Sequence, residues 1–380
     1  MSMSALNEVA VVGGGPAGAT IAFLLACRGF EVTLFDRQHF PRPKLCAGLL
    51  TRKTIRLLEE LFGENAESLK RQGIITQTCS DYRVVRRRVE LARGRLEYPF
   101  HLVDRTRYDH LWIEKARRAG VRLRLGLAVV RVEPDGRLFT ADGGVYRFDV
   151  IVGADGVNSR LRRCMWTSRG DRRRWRSRLA GAIETRYPAA PGKPCATLYF
   201  GYAPWGYAWS FPNPRSNVVG ICGLGRRKRK PSLKAAFGRF LADWGMAAFS
   251  DVEWQSHPLP YGNFLSKPAR DRLLLIGDAC GLADPLLGEG IFFAHRSAQA
   301  AALAITDCRN HPADLAARYG RWLNRMVLRE FRWIAFYRWM LFFGGRLRRF
   351  TGLRLLLKFF PARLEALVQG TRPYSRLFFP

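Results

Sequence analysis

Three glycines near the start of the chain have the spacing of a nucleotide-binding turn. Gly13, Gly15 and Gly18 follow the apolar run Val9–Val12 and precede an Ala- and Leu-rich stretch that ends before Gly29. Gly13 permits a tight turn, Gly15 lets backbone amides approach a pyrophosphate, and Gly18 lets a helix pack closely on the strand. The spacing therefore predicts a strand, a glycine turn and a helix whose first N–H groups face phosphate oxygens.

An acidic residue follows this unit at the distance that ribose binding requires. Asp36 ends a second apolar run, Glu31–Phe35, and lies 18 residues after Gly18. A carboxylate at that position can accept hydrogen bonds from both hydroxyls of an adenosine ribose. A glycine cluster alone often marks only a turn, but the order of strand, glycine turn, helix, strand and acid predicts dinucleotide binding.

Two more apolar runs end in acidic turns further along the chain. Asp149–Gly153 leads into Asp155, and Leu273–Ile276 leads into Asp278. A glycine-rich segment and an Ala-rich helical stretch follow the second turn. Short apolar runs of this kind are typical of buried parallel strands, whose carboxyl ends hold ligands in α/β sheets.

The motifs GxGxxG, GADGxxSxxR and GDAxGxxxPxxGEGI occur here in that order. This order resembles the FAD oxidoreductases of the para-hydroxybenzoate hydroxylase type. Three further segments, KLCAGL at Lys44–Leu49, RTRYD at Arg105–Asp109 and PWGYAWSFP at Pro204–Pro212, make the geranylgeranyl reductase family the closer resemblance. The matching segments extend from about Val9 to Ala304, and the last 70-odd residues carry no motif of the family.

The resemblance implies a set of FAD-binding positions distributed over the whole matching region. They are Gly13, Gly15, Ala17, Gly18, Asp36, Arg37, Lys44, Cys46, Ala47, Arg105, Val129, Asp155, Asp278, Pro285, Gly288, Gly290 and Ile291.

Two parts of this set have a physical interpretation of their own. Backbone N–H groups around Gly288–Ile291, at the start of a helix, would stabilise negative charge on a reduced flavin ring. Asp278 is placed, as in the family, to accept a hydrogen bond from the ribityl chain of the flavin. The alternative for Asp278 is a cap on the turn that follows it.

Cys46 is the candidate catalytic residue. A lone cysteine is usually a small apolar side chain that fills a gap. The resemblance instead places Cys46 beside the flavin, where a thiol could donate or orient the proton that double-bond reduction needs. Both interpretations stay open on the sequence.

Alternating aromatic residues form the candidate substrate site. Tyr207, Trp209 and Phe211 recur every second residue before Pro212, so on a strand the three rings share one face. Such a face is either the core of a sheet or a wall for an apolar ligand. The resemblance favours the wall, because rigid aromatic surfaces bind an isoprenoid chain without leaving polar groups unsatisfied.

The resemblance and the spread of its motifs along the chain imply a two-domain α/β protein. We predict a Rossmann-like FAD-binding domain, an antiparallel-sheet substrate domain and a helical C-terminal region. The predicted ranges are 1–75, 100–180 and 265–310 for the FAD-binding domain, 76–99 and 181–264 for the substrate domain, and 311–380 for the C-terminal region.

Composition excludes several other classes. The chain has 380 residues, 48% of them hydrophobic, and its 63 Lys and Arg against 31 Asp and Glu give a net charge of +32. The eight cysteines form no CxxC pair, which argues against a zinc site or a disulfide scaffold and predicts a cytoplasmic protein without a metal. A transmembrane span and a secretory signal are not predicted.

Basic residues outnumber acidic ones in C-terminal segments that are also rich in aromatic residues. A helix predicted from Trp322 to Phe343 and a second basic segment from Arg346 to Phe360 combine arginines with aromatic rings. This combination suits the surface of an anionic membrane at its inner face. The alternative is a helical cap on the substrate domain. Nucleic-acid binding is not predicted because no DNA- or RNA-reading motif occurs, and we expect a monomer.

The resemblance implies that reduced FAD saturates carbon–carbon double bonds of an isoprenoid lipid or prenyl diphosphate. Because the chain has one GxGxxG, NAD(P)H or a reduced carrier protein would deliver electrons only transiently. Two other functions stay open: a flavin-dependent monooxygenase or halogenase of the same fold, and a non-catalytic flavoprotein. Halogenases carry the motif WxWxIP, from which Tyr207 and Phe211 depart.

Overall fold

The computed structural model describes residues 5–165, 168–188, 192–224, 232–246, 253–344 and 351–376. Two compact units are built from interleaved segments of the chain. The first unit comprises Met1–Pro43, Thr106–Arg178 and Pro260–Arg332, and the second comprises Lys44–Arg105, Leu179–Leu259 and Trp333–Pro380.

The strands belong to three sheets. They are β1 Glu8–Val12, β2 Glu31–Asp36, β3 Leu49–Leu50, β4 Ile75–Arg86, β5 Val89–Val103, β6 Arg122–Leu125, β7 Val129–Val132, β8 Arg137–Thr140, β9 Val145–Arg147, β10 Val150–Gly153, β11 Ala180–Pro188, β12 Cys195–Phe200, β13 Tyr207–Pro212, β14 Ser216–Gly223, β15 Trp254–Leu259, β16 Ala269–Arg270 and β17 Leu273–Leu275.

The helices lie between these strands and at the C-terminus. They are α1 Pro16–Ala26, α2 Arg52–Phe62, α3 Ala66–Arg71, α4 Arg105–Arg118, α5 Leu161–Cys164, α6 Arg169–Ser177, α7 Leu233–Asp243, α8 Ile291–Asp307, α9 Leu315–Leu323 and α10 Arg329–Trp339, followed by Thr351–Phe359 and Pro361–Gln369. Wider π-type turns at Asn324–Leu328 and Met340–Gly344 make the chain helical without interruption from α9 through Gly344.

The first unit contains the predicted Rossmann-like sheet. Its strand order is β16-β17-β10-β1-β2-β6, and all pairs except β16 with β17 are parallel. Residues 9–12 of β1 are buried because strands lie on both sides of them and helix α1 packs on them. Since parallel strands point the same way, the residues after β1, β2, β10 and β17 lie at one edge of the sheet. A smaller antiparallel sheet, β7-β8-β9, completes this unit.

The second unit contains the predicted antiparallel sheet. Its order is β15-β11-β14-β13-β12-β4-β5-β3, with only β12 and β4 parallel among the described strands. Helix α7 covers one face, where Phe237 and Phe240 pack with Ile183 and Ile221. The opposite face carries Tyr207 and Trp209. We call this opposite surface the aromatic face.

The domain ranges derived from the sequence differ from these compact units at several boundaries; residues 260–264, for example, lie in the first unit. Residues 44–75 and 100–105 lie in the second unit, because β3 and β4 pair with β5 in its sheet. Residues 311–380 form no unit of their own, since the part up to Arg332 belongs to the first unit and the part from Trp333 to the second. Motifs mark positions near a cofactor, whereas domain membership follows strand pairing.

Candidate functional site

The glycine turn after β1 has little room for side chains except at Gly15. A Cβ atom on Gly13, whose φ is +106°, would lie 2.4 Å from the carbonyl oxygen of Ala154. A Cβ on Gly18 would lie 1.8 Å from the carbonyl oxygen of Gly13. At Gly15 the nearest atom is 3.9 Å away, an Nη2 of Arg42. Protein atoms therefore pack tightly around Gly13 and Gly18, whereas the space beside Gly15 is open, as binding of a pyrophosphate requires.

Helix α1 begins at this open position without a side-chain cap. Gly15 is its N-cap, Pro16 its first residue, and the buried Ala17 lies in its first turn. The first-turn N–H groups are available to a ligand, and the helix dipole favours an anion there. Arg42 adds a positive charge beside Gly15 and is held by an ion pair of 3.7 Å with Asp109. Sequence reasoning missed Arg42, since no spacing rule links it to the glycine turn.

Asp36 is fixed by backbone hydrogen bonds at the end of β2. Its Oδ2 accepts from the N–H of Gly14 at 2.6 Å and its Oδ1 from that of Gln38 at 2.9 Å. Each oxygen keeps lone-pair capacity for a ribose hydroxyl. The adjacent Arg37 is exposed. Asp36 thus both anchors the glycine turn and presents a pre-oriented acceptor beside it.

The turn after β10 is a rigid support for the glycine turn. The Oδ2 of Asp155 accepts from the N–H of Arg160 at 2.7 Å, and burial raises the pKa of Asp155. The buried Arg162 donates to the carbonyl of Val157 at 2.6 Å and to that of Ala279 at 2.9 Å. Arg162 thereby joins the turn after β10 to the turn after β17, a role that the motif alone does not reveal.

The turn after β17 contacts both helix starts. A Cβ on Gly277 would lie 3.1 Å from the Cβ of Ala17, and the Gly277 N–H donates to Oγ of Ser297 in α8 at 3.0 Å. The Oδ1 of Asp278 lies 3.6 Å from where a Cβ on Gly290 would stand. The carboxylate therefore lies at the start of α8, where the helix dipole favours its charge.

The loop before α8 is held by an acid that the sequence did not single out. The Oδ1 of buried Asp284 accepts from the N–H groups of Leu286 and Leu287 at 2.6 and 2.8 Å. Gly288 has a φ of +71°, and Gly290 caps α8 without a side-chain hydrogen bond. The remaining predicted loop residues, Pro285 and Ile291, are buried. The N–H of Gly288 donates to the carbonyl of Asp284 at 2.9 Å, so the backbone donors predicted for a flavin ring are those of Gly290 and Ile291.

A buried histidine connects the two helices that begin at the candidate cofactor site. His295 of α8 has Nδ1 2.7 Å from Oγ1 of Thr20 in α1 and Nε2 2.7 Å from Oη of Tyr108 in α4. Since the Thr20 hydroxyl donates to the carbonyl of Pro16, it accepts from Nδ1–H of His295. His295 thereby links α1, α4 and α8 through buried hydrogen bonds.

Several predicted cofactor positions do not belong to the turns after β1, β2, β10 and β17 or to the loop before α8. Val129 is buried at the start of β7, opposite Thr140 in the small sheet. Lys44, Cys46, Ala47 and Arg105 belong to the second unit, together with the aromatic motif. Among the described side chains, no group of three or more His, Cys, Asp or Glu residues could hold a metal ion.

In the second unit, the Cys46 loop is anchored beside the aromatic face. The Nζ of Lys44 lies 2.9 Å from Nε2 of His257 in β15, and Ala47 packs against the cluster that contains Tyr207. The half-exposed Cys46 thiol accepts from the N–H of Gly48 at 3.4 Å. The loop that carries Cys46 therefore packs, through Ala47, against the candidate substrate wall.

The aromatic motif forms a continuous row of rings. The centroid of Trp209 lies 6.0 Å from that of Tyr207 and 6.4 Å from that of Phe211. The indole occupies the space over Gly220, where a Cβ would come within 2.3 Å of it. The last turn of the long C-terminal helix adds Phe342 to this cluster. Pro212 is buried at the end of β13.

Together, the first unit's residues fit FAD. An open glycine turn, two uncapped helix starts and a fixed carboxylate match the pyrophosphate, the flavin ring and the ribose. Arg42 supplies charge for the phosphates. The second unit by itself carries the aromatic face and the Cys46 loop that packs on it.

Comparison with known proteins agrees with this assignment. The model of the FAD binding domain family matches residues 7–311. A menaquinone reductase of Mycobacterium tuberculosis is 29% identical over 356 residues, which cover 84% of this chain and 82% of the relative. A digeranylgeranylglycerophospholipid reductase 2 of Methanothermobacter thermautotrophicus is 28% identical over 352 residues, covering 86% and 83%.

Other similar proteins extend the range of activities. A tryptophan 2-halogenase of Chondromyces crocatus is 26% identical over 351 residues, covering 83% of this chain and 64% of the relative. The crystal structure of a geranylgeranyl bacteriochlorophyll reductase-like protein of Thermoplasma acidophilum has a TM-score of 0.74 at 18% identity, over 88% and 87% of the two chains, and so shares the fold. The chain therefore belongs to the FAD binding domain family, and it is an FAD-dependent oxidoreductase of the superfamily that contains geranylgeranyl reductases, halogenases and monooxygenases.

Proposed function

We propose that this protein saturates carbon–carbon double bonds of an isoprenoid lipid or prenyl diphosphate. The observation that supports this most is the packing of the Cys46 loop against the aromatic face within one unit. A thiol and a row of apolar rings suit an alkene, which offers no polar atom to bind. The names of two relatives, both reductases, agree with this choice.

Each unit has a task in this proposal. Bound FAD, when reduced, supplies the hydride. The start of α8 would stabilise the negative charge that the reduced flavin ring carries before the hydride leaves it. Tyr207 and Trp209 hold the isoprenoid chain and exclude water, while the Cys46 loop orients the double bond. Electrons reach FAD from NAD(P)H or a reduced carrier protein that binds transiently.

Replacing Cys46 tests whether its thiol acts in the reaction. We expect Cys46→Ala to slow alkene saturation by at least about tenfold, because a group that orients or protonates the reacting carbon is lost. FAD content is expected to stay unchanged. Rates are measured with dithionite-reduced protein under argon, and Cys27→Ala, an exposed thiol of the first unit, serves as control. Undiminished saturation would assign Cys46 to packing.

The halogenase relative supports a second candidate, an oxygen-dependent reaction on an aromatic substrate. The two candidates differ in their need for oxygen. Lipid analysis separates them: the chain is expressed in a host that makes unsaturated prenyl lipids, and the lipids are examined by mass spectrometry. Mass gains in steps of two hydrogens support the reductase. Unchanged lipids in cells that contain the FAD-loaded protein would contradict it.

We also propose that the second unit binds an anionic membrane surface, from which an isoprenoid substrate is drawn. No described helix is long and apolar enough to cross a bilayer. Helix α10 nevertheless exposes an aromatic stripe, which we define as Trp333, Phe336 and Trp339; these side chains are 39%, 45% and 50% exposed. Tyr337 of the same helix is buried. One side of the helix is therefore buried, and the rings of the aromatic stripe are exposed to solvent.

Positive charge accompanies these exposed rings. Helix Thr351–Phe359 packs against the Met340–Gly344 turn and exposes Phe359, with Lys358 over its ring at 5.4 Å. A groove of about 650 Å³ lies beside this helix. Its lining includes one acidic residue, Glu365, and four basic residues, Arg93, Arg95, Arg354 and Lys358. Rings at the acyl boundary and cations at phosphate groups are the two contacts that hold interfacial helices.

The aromatic stripe yields a direct prediction. The double substitution Phe336→Ser and Trp339→Ser is expected to lower binding to phosphatidylglycerol vesicles by at least about tenfold, because two rings that enter the acyl boundary are removed. Binding is measured by vesicle sedimentation. The matched control replaces two exposed valines of the first unit, Val130→Ser and Val145→Ser. Equal binding of both double variants would contradict membrane docking through the stripe.

A further inference from the structure

A carboxyl group shares the aromatic face with the motif residues. In β11, Glu184 pairs with Gly220 of β14, and Gly220 pairs in turn with Trp209 of β13. Cross-strand partners in an antiparallel ladder point to the same side of the sheet. Glu184, Gly220 and Trp209 therefore form one row across the aromatic face, with Gln255 of β15 at its end.

No side chain separates the carboxyl group from the indole in this row. Gly220 contributes only its Cα, and the indole of Trp209 extends over it, within 2.3 Å of where a Cβ would stand. The Nε1 of Trp209 is buried and hydrogen-bonds to no described residue. The next row of the same face contains Ala182, Cys222 and Tyr207. Glu184 is thus the acidic side chain next to the rings that would hold the substrate.

The surroundings of Glu184 favour its protonated form near neutral pH. Burial raises the pKa of Glu184 to about 7, against the opposing charges of Arg186 on the same strand and Arg105. Further charged groups among the described residues towards this face include Lys44, beside His257 in the adjoining row, and Arg338 near Cys222. Burial raises the pKa of the Cys222 thiol to about 12, so that thiol is a much weaker acid.

We propose that Glu184 is the proton donor for double-bond saturation on the aromatic face. This role rests on the proposed function. One alkene carbon receives a hydride, supplied by reduced FAD, and the other receives the Glu184 proton, so that two C–H bonds replace one π bond. Glu184 is left as a carboxylate and regains a proton from water. The ring of Trp209 stabilises positive charge that develops on the carbon awaiting hydride.

The isosteric substitution Glu184→Gln tests this role. In single turnovers of dithionite-reduced protein with a geranylgeranyl lipid, we expect wild-type rates to fall as pH rises through about 7, where Glu184 loses its proton. Glu184→Gln should be at least about 100-fold slower and should lack this pH dependence, with normal FAD content. Glu184→Asp should recover part of the rate. Glu90→Gln, which removes an exposed ion pair of the same sheet with Arg93, should match wild type.

A second measurement needs neither lipid nor turnover. A carboxyl group whose pKa is raised in the folded protein binds its proton more tightly there than in the unfolded chain. Its contribution to the unfolding free energy therefore falls as pH rises from 4.5, the ordinary value, to about 7. The thermal midpoint of Glu184→Gln should rise relative to that of the wild type across this window, and an infrared band of a protonated carboxyl should be lost.

The outcomes separate the two proposals. Saturation by wild type together with an equally fast Glu184→Gln would overturn the role of Glu184 and leave the proposed function standing. Parallel thermal midpoints of the two proteins across the window would overturn it as well, because Glu184 would then be ionised near neutral pH. No saturation by the FAD-loaded wild type would contradict the proposed function itself, and with it this role.

Discussion

Gly18→Ala should yield a folded protein that is purified without bound flavin. The added Cβ would lie 1.8 Å from the carbonyl oxygen of Gly13 and 3.2 Å from the Cβ of Ala154. Helix α1 must then move away from the glycine turn, and its first N–H groups lose their alignment with a pyrophosphate. We expect FAD content to fall below about a tenth of the wild-type value, a loss of the size that several charge-assisted hydrogen bonds would cause.

A matched control separates this effect from any general cost of the substitution. Gly320 lies in helix α9 of the same unit, and a Cβ there meets no atom within 4 Å. Gly320→Ala should retain full FAD content and gain up to about 1 kcal/mol of stability from its higher helix propensity. Flavin absorbance and thermal unfolding measure both properties. Wild-type FAD content in Gly18→Ala would contradict the assignment of the glycine turn as the cofactor site.

Gly220→Ala should disable the aromatic face while leaving the cofactor bound. The new Cβ would meet the indole of Trp209 at 2.3 Å and the carbonyl of Ile183 at 2.7 Å. The indole must leave its position in the row of rings, and overpacking of this kind costs about 1–3 kcal/mol of stability. We expect isoprenoid saturation to fall by at least about tenfold, with FAD content unchanged. The measurement is an anaerobic single turnover followed by mass spectrometry of the lipid.

The comparison for this variant lies on the opposite face of the same sheet. Gly181 of β11 faces helix α7, where a Cβ would meet only the flexible end of Leu233, at 3.1 Å. Gly181→Ala therefore adds a methyl group to the sheet without touching the rings, and we expect nearly normal turnover. If both glycine variants lost turnover equally, the loss would come from a general disturbance of the sheet. The claim that Trp209 holds the substrate would then be wrong.

The Rossmann-like sheet could be predicted because its signals are local. Each buried strand is a short apolar run, and each cofactor turn follows directly after its strand, as Gly13 follows β1 and Asp278 follows β17. Parallel topology then brings these turns to one edge without any further information. Alternation at Tyr207, Trp209 and Phe211 likewise fixed their common face before the partner strands were known.

What the sequence could not predict depends on contacts between distant segments. Arg162 joins two turns that are 117 residues apart, and His295 joins α8 to residues of α1 and α4. The approach of Glu184 to Trp209 follows from the register of β11, β14 and β13. The sequence left two interpretations of the C-terminal helix open. Phe342 packs on the aromatic face, as a cap would, and the exposed Trp339 supports the membrane contact that we propose.

Anaerobic reduction of a defined lipid tests the central claim most directly. FAD-loaded protein is reduced with one equivalent of dithionite and mixed with a geranylgeranyl phospholipid in anionic vesicles, while flavin absorbance and lipid mass are followed together. We predict that the yellow absorbance returns without oxygen and that each reoxidised flavin adds two hydrogens to the lipid. A flavin that stays reduced beside an unchanged lipid, yet reoxidises once air is admitted, would contradict it.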